Sequence, residues 1–308
     1  MASCWQCLVS FVIMQNMDTL ATAFTEQIKI AMPLSKVPTV ITADNVYQEG
    51  NPDILPLIDG MLDSLLLPGS GLEGMEHLEE LLSKAEAGKS CLLLPEHYSN
   101  FDLSLFSLLV RRAGGRGNDI IKALVAIAGM KLNEDNPIVA AFAGAYTRIV
   151  IYPSRSLVGL DTEKNNAELI RSNAINRSAM KILEEIKTQG KLVLIFPAGT
   201  RYRPGDPSTK RGVREIDSYV RTFDYMCLVA INGKLLHVQK TDMLNDAISK
   251  DIVRITVGKV LSCAEFRDRA RNKAQAAGIE DKRQATVDAI TDELDRMHNE
   301  AEEKRAKL

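Results

Sequence analysis

LLLPEHYSNFDLSLFSLL (residues 92–109) changes character midway. Residues 92–94 form an apolar run suited to a buried strand, and 102–109 carry apolar residues at helical spacing. His97 falls where one element gives way to the other, and in open α/β folds ligands bind at such junctions. A histidine there projects into the crevice above the sheet and can take a proton from an alcohol. An aspartate one helical turn further on can orient the ring and stabilise the imidazolium. Asp102 has a plainer reading too. With Ser99 it makes an S-x-x-D capping box that satisfies the first turn of a helix, and His97 is then an ordinary loop residue.

Outward from this stretch the same alternation repeats. The patterns predict helices at 73–87, 102–112, 137–143 and 163–188, and strands at 91–94, 121–127, 148–152, 191–196, 225–231 and 252–257. The implied fold class is α/β: a mixed, largely parallel sheet flanked by helices. Residues 1–65 lack a strand-like period and read as several helices. The Gly/Pro-rich LPGSGLEG at 67–74 marks a break. The expected division is a smaller N-terminal helical domain, 1–66, and an α/β domain, 67–308, that ends in charged helices. In that tail Val287, Ile290, Leu294 and Met297 form a narrow apolar stripe, and Gly278 interrupts it upstream.

The 308 residues are 45% hydrophobic with a net charge of −2, which fits a globular protein and offers no basic field for nucleic acid. The longest apolar run, 4–14, is shorter than the roughly 18–20 residues that span a bilayer. No Lys or Arg precedes Lys29, so the basic region of a signal peptide and the face of a transit peptide are missing. The expectation is a soluble intracellular protein, with residues 1–16 set apart from the rest. Cys4 and Cys7 form a C-x-x-C without the context of a redox or zinc site. Cys91, Cys227 and Cys263 lie in or beside apolar runs and read as buried thiols.

SKAEAGKS at 83–90 ends like a phosphate-binding loop, but it closes a helix and precedes a strand, the reverse of what that motif needs. A stronger signal is LVLIFPAGTRYRPGD at 192–206, a strand followed by Pro, Gly, Arg201 and Arg203. Two arginines beside a strand end can clamp a phosphate by forked, charge-assisted bonds. They also suit a solvated basic loop. GAYTRIVIYPSRSL at 144–157 places Arg148 and Arg155 at the two ends of another strand.

Together these blocks resemble the glycerolipid acyltransferase family. H-x-x-x-x-D at 97–102 matches its first motif and F-P-x-G-T-R at 196–201 its third, with GAYTRIVIY and YMCLVAIN at the second and fourth positions. The soluble, plastid-type glycerol-3-phosphate acyltransferase branch is the closer match, through LPLIDGMLDSLL and RYRPGDPST. The similarity spans roughly residues 55–235. Ala198 stands where the wider family has Glu, a change the plastid-type branch tolerates. Arg155 keeps one member of a basic pair, and Ser156 replaces the other, a histidine in the family.

The resemblance implies transfer of a fatty acyl group from acyl carrier protein or coenzyme A to the sn-1 hydroxyl of glycerol 3-phosphate, with no metal and no cofactor beyond the thioester co-substrate. It gives His97 as general base and Asp102 as its orienter. Arg155, Arg201 and Arg203 become the phosphate clamp, with Arg148 and Lys131 as lesser candidates. Backbone N–H groups at Gly199, Thr200 or the start of the 102–112 helix would meet the oxyanion. Peripheral membrane contact would serve product release, in the cytoplasm or, in a plant or alga, the plastid stroma. A lysophosphatidate or dihydroxyacetone-phosphate acyltransferase, and a non-catalytic lipid- or phosphate-binding relative, are the alternatives.

Overall fold

The computed structural model describes residues 18–134, 137–157, 166–239 and 245–308. The C-x-x-C pair and the distinctive N-terminal stretch lie outside these residues. The described residues open with helices α1 (Leu20–Ala23) and α2 (Thr25–Leu34), strand β1 (Tyr47–Gln48) and helix α3 (Leu55–Leu65). Next come β2 (Gly71–Glu73), α4 (Met75–Glu86), β3 (Cys91–Pro95), α5 (Asp102–Arg112), α6 (Gly117–Ala123) and β4 (Leu124–Gly129). Helices α7 (Lys131–Glu134) and α8 (Pro137–Ala143) lead to β5 (Arg148–Ile151), α9 (Asn166–Ile186) and β6 (Leu192–Leu194). The remainder is α10 (Ile216–Thr222), β7 (Tyr225–Asn232), β8 (Leu236–His237), β9 (Ala247–Ile248), β10 (Arg254–Val257), β11 (Leu261–Ser262), α11 (Cys263–Ala276) and α12 (Lys282–Arg305).

Among the described residues, nine strands form one sheet in the order β1-β5-β4-β6-β3-β7-β10-β2, with β11 also on β7. Its centre, β5 through β7, is wholly parallel, while β1, β10 and β11 pair antiparallel. The chain runs outward from β3 to β4 and β5, then returns to place β6 beside β3. This reversal is the kind of switch point where a crevice opens above the strand ends. All five residues of β3 are buried, as a strand covered on both faces requires.

Two buried clusters cover the sheet. One holds Leu78, Leu93, Leu105 and Leu194 together with Ile54, Ile58 and Met61 of the N-terminal segment. The other holds Leu92, Ile149, Ile175, Val220 and the α12 stripe Val287, Ile290, Leu294 and Met297. The segment 18–66 therefore shares a core with the sheet and supplies its edge strand β1. Arg111 binds both carboxylate oxygens of Asp59, at 2.8 and 2.7 Å, which pins α5 to α3.

Two expectations need correction. The run at 121–127 is the end of α6 followed by β4 from Leu124, because Ile120 and Ala123 face the core from a helix. Glycine-rich 67–74 contains β2, and residues 1–65 are not free of strand, since β1 pairs with β5. SKAEAGKS closes α4 and enters β3 as expected. Cys91, Cys227 and Cys263 are buried free thiols, and burial pushes Cys91 and Cys263 up to about 12. Among the described residues no helix is long and apolar enough to cross a membrane.

Candidate active site

β3 ends at Pro95, and the next residues turn over its C-terminal edge before α5 begins. His97 Nδ1 lies 2.9 Å from Asp102 Oδ2. The same carboxylate oxygen accepts the backbone N–H groups of Tyr98 at 2.5 Å and Ser99 at 2.9 Å. Oδ1 accepts the Ser99 hydroxyl at 2.8 Å. Asp102 thus holds the loop and the histidine at once, and the cap and the catalytic reading are one arrangement. The box itself is only partial: Ser99 Oγ accepts from Phe101 N–H, not from the Asp102 backbone.

A carboxylate that takes donors on every side presents only acceptors. Its partner Nδ1 therefore carries the proton, which leaves Nε2 as the basic atom. The His97 side chain is 17% exposed and that of Asp102 is 2% exposed. The ring is also stacked on Phe196, with centroids 3.9 Å apart and planes 17° from parallel. Phe196 follows β6, the strand beside β3, so the first and third sequence blocks meet at the histidine. The Tyr202 N–H donates to the His97 carbonyl at 2.8 Å, which fastens the arginine-bearing loop to the same point.

A further ring of residues went unnoticed in the sequence. Buried Glu96 accepts from the Tyr98 hydroxyl at 2.7 Å and from the Ile231 N–H at 2.9 Å, and pairs with His298 Nδ1 at 2.8 Å. His298 belongs to α12, so the C-terminal helix braces the loop that carries His97. Burial, then the neighbouring Glu96, drive the Tyr98 hydroxyl pKa upward, so it stays a donor. Only contacts across 202 residues of chain reveal this brace.

His97 opens into a cavity of about 520 Å³. Its lining is mainly apolar, with Ile58, Met61, Phe101, Leu103 and Phe142 from α3, α5, α8 and the turn before α5. Arg155, Asn176, Glu215 and Ser218 add polar groups to the same lining.

Of the expected phosphate ligands, Arg155 and Arg148 line the cavity, and Arg201, Arg203 and Lys131 do not. Arg155 lines the cavity and is exposed. Arg201, one residue before the Tyr202 anchor, is ion-paired with the buried Asp246 at 2.7 Å. Arg203, one residue after it, is exposed. Arg148 also lines the cavity but is 2% exposed, and burial lowers its pKa to about 10. Lys131 is exposed on α7 and is not part of the lining. Ala198 faces a separate small cleft with Glu96, Tyr98, Lys210 and Asp295.

The Gly199 N–H is not spare, because it donates to the Phe196 carbonyl at 3.0 Å in a turn that needs its φ of +62°. Gly199 lines the cavity, whereas Thr200 does not. The start of α5, through Leu103 and Ser104, does, and a helix N-terminus carries partial positive charge.

Comparison with curated proteins gives no match. Residues 72–258 match the acyltransferase family, a span that contains β2 through β10, His97, Asp102 and the Phe196–Arg203 loop. With more than half of the sequence inside that match, and with its histidine and aspartate assembled at the mouth of an apolar cavity, this chain belongs to the acyltransferase family.

Proposed function

We propose that the protein moves a fatty acyl group from an acyl carrier protein or coenzyme A thioester to the sn-1 hydroxyl of glycerol 3-phosphate. The observation that carries this is the His97–Asp102 pair, with His97 lining a cavity that carries both apolar and polar side chains. Nε2 takes the proton of the acceptor hydroxyl as that oxygen attacks the thioester carbon. Asp102 holds the ring and offsets the positive charge that forms on it. The tetrahedral oxyanion is met at the start of α5 by the helix's positive end. Its collapse expels the thiolate, which takes up the proton, and leaves the ester. The acyl chain lies against the apolar part of the lining, whose aromatic and aliphatic side chains suit a hydrocarbon.

The phosphate is taken by Arg155 and Arg203, and by Arg201 in competition with Asp246. Arg201 and Arg203 flank the residue bonded to the His97 carbonyl, which supports placing the phosphate within a glycerol's length of the base. Glycerol lacks that handle, so selection among acceptors falls to these arginines.

Purified protein should be mixed with labelled glycerol 3-phosphate, dihydroxyacetone phosphate or 1-acylglycerol 3-phosphate, each with both thioester donors, and the lipid products identified. The expected product is 1-acylglycerol 3-phosphate from the first acceptor. Turnover confined to either of the other two acceptors would replace this reading with the corresponding one.

A further inference from the structure

The lining of the cavity includes a buried charge. Arg148 opens β5 and points to the sheet face shared with Phe142 and Met61. Its Nη1 donates to the carbonyls of Ala143 and Tyr146, at 2.5 and 3.4 Å. Its Nε and Nη2 are buried with no partner, while the Tyr146 hydroxyl neighbours those of Ser104 and Ser107 on α5. Arg148 and Tyr146 line the same cavity as His97. A buried cation without a counter-ion costs several kcal/mol, and buried donors are nearly always paired. Two spare guanidinium nitrogens, on a residue of the cavity lining, are therefore placed for an acceptor that arrives with a ligand.

Distance decides which part of the ligand brings it. Arg148 stands opposite Ala126, Ala126 opposite Leu194, and Leu194 opposite Leu93. Three strand spacings separate β5 from β3, roughly 14 Å, and His97 lies roughly 13 Å further along the strand direction. The bond to the Tyr146 carbonyl, upstream of β5, keeps the guanidinium from extending toward the strand's C-terminal end. The base and the guanidinium are thus on the order of 17–19 Å apart. Glycerol 3-phosphate spans only about 6 Å from hydroxyl to phosphorus, so its phosphate cannot reach Arg148 while its hydroxyl meets His97. An extended acyl chain advances about 1.2 Å per bond, and about twelve to sixteen carbons cover the distance.

We propose, on the basis of the acyl-transfer reading above, that Arg148 with Tyr146 selects acyl donors bearing an oxygen substituent at the far end of the chain. The shared chemistry is a hydrogen-bond acceptor, either a hydroxyl or a carboxylate, carried by a chain of about twelve to sixteen carbons. A site built to bond such a group discriminates strongly against the analogue without it, because the buried donors are then left unpaired.

The test is binding of fatty acids, each presented as its mono-coenzyme A thioester so that its own carboxyl group is masked, to the full-length protein by calorimetry without an acceptor, which needs no turnover. Unsubstituted, ω-hydroxy and α,ω-dicarboxylic acids of equal length should be compared on wild type, Arg148→Met and Tyr146→Phe. Wild type should bind one or both substituted acids at least about tenfold tighter than the plain acid. A hydroxyl-only or a carboxylate-only preference identifies which of the two acceptors is read. The ratio should fall to about one in Arg148→Met, and part of the way in Tyr146→Phe. Equal binding of all three acids by wild type, or a preference that survives Arg148→Met, overturns the proposal. If Arg148→Met does not fold, the wild-type comparison and Tyr146→Phe still decide it. A rise in KM for glycerol 3-phosphate alone in Arg148→Met would assign the arginine to the acceptor phosphate and also overturn it. Selective binding without transfer to glycerol 3-phosphate would count against the acyl-transfer reading and leave the chain-end site standing.

Discussion

Replacing Asp102 with asparagine separates its two duties. The carboxylate takes four hydrogen bonds, three of them on Oδ2. An asparagine can keep its amide oxygen at the Oδ2 position, and the Ser99 hydroxyl can reverse to accept from the new amide. Geometry then survives and charge does not. Each of the three Oδ2 bonds drops from a charge-assisted to a neutral value, a loss of about 1 kcal/mol apiece. The resulting 2–3 kcal/mol, at about 2–4 °C per kcal/mol, should lower Tm by several degrees. The catalytic cost is larger. A unit charge about 4 Å from the imidazolium, at an effective dielectric near 20, is worth about 4 kcal/mol. That corresponds to roughly a thousandfold in kcat. The assay is steady-state acyl transfer beside circular dichroism and a thermal melt. Ser99→Ala is the control: it removes one bond to the carboxylate and the acceptor of the Phe101 N–H, costs about 1–3 kcal/mol, and leaves kcat within about tenfold. If folded Asp102→Asn keeps kcat within about threefold of wild type, Asp102 is a cap and nothing more.

Arg201→Ala and Arg203→Ala should each raise the KM for glycerol 3-phosphate about tenfold or more, with little change for the thioester. Lysine at either site should give an intermediate defect, and unchanged kinetics would return both residues to a solvated loop. His298→Ala removes one of the three partners of Glu96 and should cost about 1–3 kcal/mol while lowering kcat less than Asp102→Asn does. A thermal melt and a rate measurement on the same sample check both parts. Bonds from Ser90 hold the Asp224 carboxyl below its usual range. The stability it contributes is complete above the unfolded pKa near 3.9 and fades as pH falls through the lower folded value. Urea melts in that acid window should be flatter for Asp224→Asn, and an identical pH slope in both proteins contradicts this.

The strand-to-helix change around His97 was legible because both elements are strongly periodic and Pro95 punctuates them. α5 and α8 fall where the spacing places them, and β3 is extended by one residue. The run at 121–127 misled because short apolar stretches suit a helix end and a buried strand alike. β1 and β2, at two and three residues, are too short to show a period, and the sheet edge alone makes them strands. In the site, His97, Asp102 and the loop at 196–203 carry local signatures. The Glu96–His298 brace and the isolation of Arg148 do not, because both depend on what lies across the sheet. Arg148 in particular looks in sequence like any basic residue at a strand end, and only its burial and unpaired nitrogens set it apart.

The most direct test of the central claim is His97→Ala in the glycerol 3-phosphate transfer assay. The stacked ring leaves Phe196 with a neighbouring gap, so the fold should persist, and circular dichroism would confirm it. Removal of the general base should cut kcat by about 10²–10⁴ while the KM for glycerol 3-phosphate, set by the arginines, moves little. A folded His97→Ala protein that turns over at a rate near wild type would contradict the account.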